Sequence, residues 1–354
     1  MKRSSNIKDY ISNLKFKVYY TNKMPNNFSD IIHYCCGSYD TGCFGGVPRY
    51  DYHIKLAFPN RVFFQGPNQR SKMLDFLSNC ENPLIITDNH LSCDIPNKYK
   101  ILLVHHGIAE THYQREPTWD FYWRKLCCDG QNKMLEYRDP TTTKIVNISQ
   151  FCRDEFSRIY GEKYLKFDII DILHSSELDI NKYKNTFNTT PHILGAWGSN
   201  HKGPSNVIEN LKSYNREFKF NKLNVGYDYN KTPLICQEGI DDYNKRKQDI
   251  YLNNDIYLCL SLHEGSSYAM LDALLTGLVI VSTDVGLTYK DLPEDCFVKL
   301  DWKKRDDIKY VSSKLKYAWE NKEKLSKKSR EWFVNNCSFD SWKSNIRNLV
   351  CNGF

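Results

Sequence analysis

Short apolar runs alternate with amphipathic stretches of helical periodicity along most of the chain. Strands that are separated by helices in this way predict parallel sheets that are covered on both faces. The strands predicted from these runs cover residues 31–36, 61–65, 84–87, 101–105, 144–148, 167–173 and 192–194. The pattern therefore predicts an α/β protein.

The clearest single unit lies between residues 255 and 285. Its pattern predicts a buried strand over 256–262, a polar turn, and an amphipathic helix over 269–276. Gly277 is a typical helix stop, and a second buried strand is predicted over 278–282. The order of strand, helix and strand makes this segment one βαβ unit.

The turn of this unit carries residues that suit a phosphorylated sugar. Glu264 follows the carboxyl end of the first strand, where open α/β sheets bind their ligands. The helix behind it opens with the backbone N–H groups of Gly265, Ser266, Ser267 and Tyr268. Such groups bind phosphate, and Asp272, a little more than two helical turns after Glu264, projects near the same crevice. The two acids can therefore accept hydrogen bonds from sugar and ribose hydroxyls on either side of a phosphate link.

Length and composition favour two α/β domains. The 354 residues are enough for roughly two domains, each with its own core. Between residues 175 and 191 the chain becomes polar and rich in asparagine, which predicts a crossing between domains near residue 172. We therefore predict a first domain over residues 1–172 and a second over 173–335, followed by a terminal helical segment over 336–354.

Charge and composition narrow the classes of partner. The net charge is +7, from 49 basic and 42 acidic residues, and it is dispersed without a basic patch interleaved with aromatics. Nucleic acid is therefore not an expected partner, whereas a weak attraction to anionic membrane surfaces or phosphorylated substrates is compatible with this charge. The 13 cysteines show no CxxC pair, and no signal peptide or membrane-spanning apolar stretch is evident. We expect a cytoplasmic protein with reduced cysteines.

The sequence EGSSYAMLDALLTG resembles the signature of GT-B-fold retaining glycosyltransferases of family 4, the glycosyl transferases group 1. That signature has two glutamates with seven residues between them, and here Asp272 stands in the second place. The resemblance implies two Rossmann-like domains that face each other across a cleft. It also implies transfer of a sugar, with retention, from a nucleotide diphosphate sugar to an acceptor hydroxyl. In it, Glu264 holds the donor sugar, and Asp272 holds the ribose.

Further segments resemble the same family in the first domain. The loop of Gly45 and Gly46 with Arg49 is similar to the family's GG-x-x-R loop, which implies that Gly46 lies against the donor phosphates or the acceptor. A histidine at the end of the strand over 101–105 contacts the donor sugar in the family, and His106 matches better than its neighbour His105. At the end of the preceding strand, Asp88 and His90 could line the acceptor side, or be a helix-capping residue and a surface histidine.

The second domain carries the remaining similar elements. Lys202 and Gly203 resemble the family's GR…KG element, which binds the diphosphate, but Ala196 stands where the arginine would be. Another basic residue such as Arg49 then substitutes, or donor affinity is reduced. Gly239 and Ile240 resemble the turn that receives the base through main-chain groups. Around residues 338–342, a cluster similar to the family's introduces a final helix that returns to the first domain.

The function predicted from these residues is transfer from a UDP- or GDP-sugar to a hydroxyl of a glycan, lipid or protein. No Asp-x-Asp sequence occurs, so we predict transfer without a metal ion or other cofactor. The main alternative is a non-catalytic nucleotide-sugar or glycan binder of the same fold, which Ala196 and Asp272 favour. A glycoside hydrolase would need two acids facing each other across a sugar, and a nicotinamide dehydrogenase would need a dinucleotide fingerprint.

Overall fold

A computed structural model describes residues 29–43, 45–118, 121–225 and 237–353 of the chain. Among these residues, the strands form two sheets of six and five strands. Every pair of neighbouring strands is parallel. The α/β class predicted from the sequence is therefore confirmed.

The first sheet has the order β2-β1-β3-β4-β5-β6. Its strands are β1 (Asp30–Cys35), β2 (Val62–Gln65), β3 (Pro83–Asp88), β4 (Lys100–His105), β5 (Thr143–Asn147) and β6 (Asp168–Asp171). The helices between them are α1 (Gly46–Ala57), α2 (Arg70–Ser78), α3 (Ala109–Arg115), α4 (Phe121–Tyr137), α5 (Gln150–Tyr160) and α6 (Glu162–Leu165). The apolar side chains of β3 and β4 are almost fully buried because helices cover both faces of the sheet.

The second sheet has the order β11-β10-β9-β7-β8. Its strands are β7 (His192–Gly195), β8 (Lys219–Lys222), β9 (Ile256–Cys259), β10 (Val279–Thr283) and β11 (Val298–Leu300). The helices are α7 (Ser205–Tyr214), α8 (Gln237–Leu252), α9 (Tyr268–Thr276), α10 (Leu287–Lys290), α11 (Ile308–Glu320), α12 (Lys322–Asn336) and α13 (Phe339–Asn352). No helix within the described ranges is long and apolar enough to cross a bilayer.

The last helix, α13, packs on α1 of the first sheet's layer rather than on the second domain alone. Arg347 donates a hydrogen bond from Nε to the carbonyl oxygen of Ala57 at 2.8 Å. Trp342 is buried, and its ring lies edge-on to Tyr50 and His53, with ring centroids 5.6 and 5.4 Å away. The apolar face of α13 therefore joins the end of the chain to the first domain.

The βαβ unit of residues 255–285 folds nearly as its sequence pattern predicts. Helix α9 begins at Tyr268, one residue before the prediction, and ends at Thr276 as predicted; Gly277 follows as its C-cap with a φ of 80°, which glycine readily adopts. Strand β9, however, ends at Cys259 instead of residue 262, because the chain leaves the ladder there while its side chains stay buried. Residues 260–262 are buried beyond the end of the strand, which explains why the apolar pattern predicted that the strand continues to residue 262.

Three local predictions differ from the structure. The sequence also predicts a helix that begins at Lys202 and Gly203, but α7 begins at Ser205, because Gly203 has a φ of 141° that does not fit a helix. Gly239 and Ile240 lie in the first turn of α8 and not in a turn before a helix. The sequence resembles a strand in the segment just before them, and this segment falls outside the described residues. The short polar strand β8 was not predicted because it lies at a sheet edge and carries little apolar character.

Candidate functional site

The loops that follow the strands of the two sheets meet at one interface. Gly265 follows β9, and a Cβ atom on it would lie 2.2 Å from the carbonyl oxygen of His106, which follows β4. The hydroxyl of Ser149, after β5, donates to the carbonyl oxygen of Gly265 at 2.5 Å. The carboxyl ends of the two sheets therefore face each other, as ligand-binding crevices of α/β proteins require.

Glu264 lies at this interface, with about 10% of its side chain exposed. Its Oε1 accepts a hydrogen bond from the Ser261 hydroxyl at 2.7 Å and forms an ion pair with the ammonium group of Lys202. Burial acts to raise the pKa of Glu264, but the positive charge of Lys202, the charge of His201 and the hydrogen bonds from Lys202 and Ser261 together outweigh it, and the pKa lies below its ordinary value. Glu264 is therefore an ionised carboxylate that can accept hydrogen bonds in a poorly hydrated place.

Lys202 lies in the loop between β7 and α7, and the conformation of this loop is fixed by hydrogen bonds to its backbone and by its glycines. Arg305 donates from Nη1 to the carbonyl oxygen of Leu260 and from Nη2 to that of Asn200, both at 2.8 Å. The loop also uses Gly198 and Gly203 at φ values of 122° and 141°, which favour glycine. The ammonium of Lys202 is therefore placed against Glu264 by a loop of defined shape.

Arg49 lies at the centre of a buried ion network that joins the domains, which we call the Arg49 network. Its guanidinium donates to Asp272 from Nη1 at 2.8 Å and from Nη2 at 2.7 Å, and from Nε to Glu177 at 2.7 Å. The ammonium of Lys247 lies 3.5 Å from Asp272 and 3.8 Å from Glu177. The hydroxyl of Ser176 donates to Asp272 at 2.6 Å.

The charges of this network balance, and that balance controls its carboxylates. Burial acts to raise the pKa of Asp272, but Arg49 and Lys247 outweigh it and hold the pKa below its ordinary value. Burial likewise opposes ionisation of Glu177, whose pKa is held well below its ordinary value by Arg49 and Lys247. Both carboxylates of the Arg49 network are thus ionised, and both oxygens of Asp272 are already hydrogen-bonded.

A cavity of about 410 Å³ opens beside the Arg49 network, between helices α1, α8 and α9. Gly46 lies at its edge, where a Cβ atom would come 3.7 Å from the ring of Tyr268, an ordinary contact. The side chains that give the cavity its polar character are those of Arg49, Asp272, Lys247 and Tyr243. Its lining does not include the pair of Glu264 and Lys202. The interface therefore contains two polar subsites, the cavity and the Glu264 pair.

His106 faces the interface, whereas its neighbour His105 lies in the core of the first domain. The ring of His105 is fully buried and stacks on Phe156 with centroids 4.2 Å apart. His106 Nε2 lies 2.8 Å from Asp88 Oδ1, so the two groups share a hydrogen bond. Asp88 therefore orients the ring of His106, while His90 is exposed beside Gly130.

Of the remaining predicted residues, Tyr268 and Ile240 contact side chains of other elements at the interface. The ring of Tyr268 stacks on that of His174 at 5.1 Å, and the Arg49 guanidinium lies 4.5 Å from its centroid. Ser266 has a buried hydroxyl without a hydrogen-bond partner among the described residues, and Ser267 is the N-cap of α9. Ile240 is buried in a cluster with Tyr39 and Tyr52 at the start of α8.

Sequence reasoning missed Glu177 and Lys247, which complete the Arg49 network. Neither residue lies in a motif, and Lys247 sits in a run of charged residues that is typical of a solvated helix face. The only local signal was the placement of Lys247 four residues after Tyr243 on α8, a spacing that puts both on one side of the helix. The network depends on contacts across more than a hundred residues, which no local pattern shows.

Comparison with known proteins gives the same architecture. No family model matches the sequence, and no curated protein matches it. Among solved structures, sucrose-phosphate synthase from Thermosynechococcus elongatus has a TM-score of 0.67 at 13% identity, covering 90% of this chain and 98% of that one. HepE from Anabaena, in complex with UDP and glucose, has a TM-score of 0.60 at 12% identity, covering 91% and 99%.

A third similar structure is that of WaaG, a glycosyltransferase involved in lipopolysaccharide biosynthesis. Its TM-score is 0.59 at 11% identity, and the match covers 91% of this chain and 100% of that one. Identities this low establish architecture and leave activity to be argued from the site. Two facing parallel-sheet domains, matched over nearly the whole chain, show that this protein has the GT-B fold.

Proposed function

We propose that the protein is a glycosyltransferase that moves a sugar from a UDP- or GDP-sugar to a hydroxyl of a glycan, lipid or protein acceptor. The observation that carries the proposal is the ion pair between the buried Glu264 and the partly exposed Lys202 at the interface of the two domains. A carboxylate that accepts hydrogen bonds from sugar hydroxyls and an ammonium that binds a diphosphate are the two groups that such a donor requires. Here both come from loops at the carboxyl ends of neighbouring strands, β7 and β9.

The pair itself suggests how a donor would bind. In the free protein the charge of Lys202 compensates the buried charge of Glu264, so this carboxylate is not left unpaired. A diphosphate would take over the ammonium of Lys202, and the hydroxyls of the sugar would take over hydrogen bonding to Glu264. The backbone N–H groups of residues 265–268 would stabilise charge that develops on the departing diphosphate, where fixed dipoles act most strongly.

Other residues would position the donor and acceptor. His106, oriented by Asp88, would contact the sugar, and Gly46 would let the loop before α1 approach the phosphates closely. Gly239 and Ile240 would hold the base through the first turn of α8. Asp88 and His90 remain the acceptor-side prediction, and we place Arg49 on the same side. We propose retention of the anomeric configuration, with the leaving phosphate receiving the acceptor proton, so no side chain is assigned as general base.

A second candidate function is a nucleotide-sugar or glycan binder without catalytic activity. The observation that favours it is the engagement of Asp272, because both of its oxygens are hydrogen-bonded to Arg49. For Asp272 to hold a ribose, it must share its carboxylate with the guanidinium or exchange one hydrogen bond for another. One assay distinguishes a binder from an enzyme: when no acceptor is present, an enzyme slowly hydrolyses the donor, whereas a binder leaves the donor intact.

The test is release of UDP or GDP from a panel of UDP- and GDP-sugars by the purified protein. Glu264→Gln keeps the shape of the side chain and removes its charge, and turnover should fall by about 10²–10³-fold, the range for loss of one preorganised group. Glu294→Gln is the matched control, because Glu294 is in the same domain with its side chain 84% exposed. Full turnover by Glu264→Gln, with unchanged circular dichroism, would overturn the assignment.

The role of Lys202, metal independence and retention of the anomeric configuration are tested by separate measurements. Lys202→Ala should weaken binding of UDP or GDP, read as a smaller rise in melting temperature with nucleotide. An unchanged shift would remove Lys202 from the diphosphate site. For metal independence, Mg²⁺ or Mn²⁺ added to chelator-treated protein should leave donor turnover unchanged, and a large increase would contradict it. The anomeric configuration of the product, read by NMR, tests retention.

A further inference from the structure

A row of buried polar side chains runs through the first domain and ends at His106, and we call it the Asp51 network. It begins at Arg61, whose Nε donates a hydrogen bond to His33 Nδ1 at 3.0 Å. His33 Nε2 lies 3.0 Å from Asp51 Oδ1, and Asp88 Oδ1 lies 2.8 Å from His106 Nε2. The side chains of Asp51, in α1, and Asp88, at the end of β3, are hydrogen-bonded to each other, so the row is continuous.

The two aspartates leave two buried oxygens that no other group satisfies. Asp51 Oδ2 and Asp88 Oδ2 are both enclosed, and neither receives a hydrogen bond from a donor elsewhere in the described part of the chain. Two ionised carboxylates in contact would repel each other strongly in a buried place, whereas one proton between them satisfies both oxygens. The pair therefore holds one shared proton.

The surroundings assign this proton to Asp51. Burial raises the pKa of Asp51 well above its ordinary value, and the negative charge of Asp88 raises it further. A hydrogen bond from the Cys35 thiol and the charge of Arg61 act in the opposite direction without outweighing burial. The other titratable groups that face the two aspartates are those of His33, Cys36, Tyr50 and His106.

The direction of each hydrogen bond in the Asp51 network follows from Arg61. A guanidinium can only donate, so His33 Nδ1 accepts and His33 Nε2 carries the hydrogen. Burial lowers the pKa of His33 well below its ordinary value, so this imidazole is neutral. His33 Nε2 then donates to Asp51 Oδ1, and the carboxyl hydroxyl of Asp51 donates to Asp88 Oδ2. Asp88 is thus a carboxylate that accepts the N–H of His106 at its other oxygen.

His106 keeps its Nδ1 nitrogen for a ligand. This atom forms no hydrogen bond with any of the described residues, and 6% of the side chain is exposed. The single negative charge that Asp51 and Asp88 share is balanced by Arg61 at the other end, so charge balance requires no second proton on His106. Because the N–H lies on Nε2, Nδ1 offers a lone pair, which suits a sugar hydroxyl.

We propose that Asp51 is a positioning residue that fixes His106 as a hydrogen-bond acceptor for a hydroxyl of the substrate. Asp51 acts through Asp88, to which it donates the shared proton, and it rests on the proposed sugar transfer, in which His106 contacts the donor sugar. Without the donor on Asp51, either Asp88 takes up a proton and donates it to His106 Nε2, or His106 takes up a second proton. In both cases Nδ1 carries a hydrogen and no longer accepts from a hydroxyl.

Two variants of Asp51 separate the role of the proton from that of the shape. Asp51→Asn keeps an acceptor for His33 and a donor for Asp88, because the amide oxygen and the NH₂ group replace the carboxyl oxygen and the hydroxyl. Asp51→Leu keeps a branched side chain and removes the donor. Asp94→Leu is the matched control, because Asp94 lies in the same domain and accepts from the Tyr34 hydroxyl at 2.8 Å, outside the Asp51 network.

The first measurement is the ¹⁵N NMR spectrum of the imidazole groups in the full protein at neutral pH, with His106→Gln used to assign the signals of His106. In wild type and Asp51→Asn, Nδ1 should have the shift of a nitrogen without a hydrogen. In Asp51→Leu it should have the shift of a nitrogen that carries one. A hydrogen on Nδ1 in wild type would overturn the proposal, and that result is available even if Asp51→Leu does not fold. Unchanged signals in a folded Asp51→Leu would also overturn it.

The second measurement is kcat/KM for release of UDP or GDP from the donor that the protein uses. Asp51→Leu should lose about 10-fold, the size of one hydrogen bond, whereas Asp51→Asn and Asp94→Leu should lose no more than about 2-fold. The rise in melting temperature with UDP or GDP alone should be the same in Asp51→Leu as in wild type, because a nucleotide without a sugar does not reach His106. Equal losses in the two Asp51 variants, or weaker nucleotide binding by Asp51→Leu, would show a merely structural role and overturn the proposal.

The shared proton is also detected in the stability of the protein. Because the pKa of Asp51 is raised in the folded state, folding takes up a proton above the ordinary value of 3.8, and wild type loses stability as the pH rises. Asp51→Asn has no such loss, so its free energy of unfolding relative to wild type should be higher at pH 8 than at pH 4. An equal difference at both values would overturn the shared proton. Failure of the transfer proposal is distinguishable, since wild type would then release no UDP or GDP although the spectrum and this pH dependence are as expected.

Discussion

Replacing Arg49 with methionine should expose the energy of the Arg49 network directly. Arg49 is 2% exposed and pairs with two carboxylates whose side chains are 1% and 6% exposed, those of Asp272 and Glu177. The wild-type network has two positive and two negative charges, and Arg49→Met leaves a net charge of −1 in a buried place. Lys247 lies too far away to replace the lost hydrogen bonds, at 3.5 and 3.8 Å.

The expected loss follows from this geometry. Removing one partner of a buried ion pair costs about 3–5 kcal/mol, because the other charge stays buried without compensation. We expect Arg49→Met to lose that amount from the free energy of unfolding. Lys55→Met is the matched control on the same helix, since Lys55 is 37% exposed and pairs with Asp40 at 2.8 Å. An exposed pair of this kind contributes at most about 1 kcal/mol.

The assay is urea unfolding followed by both far-ultraviolet circular dichroism and tryptophan fluorescence, so that separate unfolding of the two domains is detected. The double variant Arg49→Met with Asp272→Asn should lose less than the sum of the single losses, because the two residues interact directly. The reasoning would be refuted if Arg49→Met lost no more stability than Lys55→Met. A strictly additive double variant would show that the pair is not the source of the effect.

The pH dependence gives the same prediction an independent test. The pKa of Asp272 is lower in the folded protein than its ordinary value of 3.8, so its pairing stabilises the folded state above that pH. This contribution is lost as the pH falls through the folded-state value. The difference in stability between wild type and Arg49→Met should therefore be greatest near neutral pH and should shrink in acid below about pH 4.

Three further changes have outcomes fixed by the structure. Gly265→Ala places a Cβ atom 2.2 Å from the carbonyl oxygen of His106 and should destabilise the protein by about 1–3 kcal/mol in thermal unfolding. Gly107→Ala is the control, because its Cβ atom makes an ordinary contact at 3.7 Å and should cost less stability. Equal losses for the two variants would contradict this prediction. Burial raises the pKa of Asp291 to about 6 against an ordinary 3.8, so ionisation of this group costs stability as the pH rises through 6. Asp291→Asn should therefore increase the free energy of unfolding more at pH 8 than at pH 4, as measured by urea unfolding at the two pH values. An equal increase at both would disprove this prediction. His105→Phe should raise the melting temperature, because it removes two buried ring nitrogens that have no hydrogen-bond partner within the described ranges, and it keeps an aromatic ring in place. A lower melting temperature would show that the nitrogens are satisfied.

The order of strands and helices could be predicted from the sequence because burial on both faces leaves a local mark. Strands β3, β4 and β10 are buried along almost their whole length and each contains a continuous apolar run, so a short stretch of residues is enough to identify each. Edge strands leave a weaker mark. Strand β8 is largely polar and β11 has three residues, so neither differs enough from a loop to be recognised.

The functional site likewise has one part that local sequence predicts and one part that only the packing of distant elements decides. A glycine turn after a buried strand was enough to predict that Glu264 lies at the carboxyl end of β9, because parallel sheets fix that edge. What Glu264 pairs with depends on the loop after β7, and what Asp272 pairs with depends on α1, 223 positions earlier in the chain. Ion pairs across such separations have no sequence period, since they form only when packing brings distant elements together.

The sequence by itself thus determined the parallel α/β architecture and the strand end after which Glu264 lies, because periodicity and strand ends are local properties. Tertiary structure alone decided which charges neutralise each other there. It engaged Asp272 with Arg49, added Lys247 and Glu177 to the same buried network, and placed His112 opposite His201. The physical reason is that a buried charge is stable only beside its partner, and the partner is chosen by how the two domains pack.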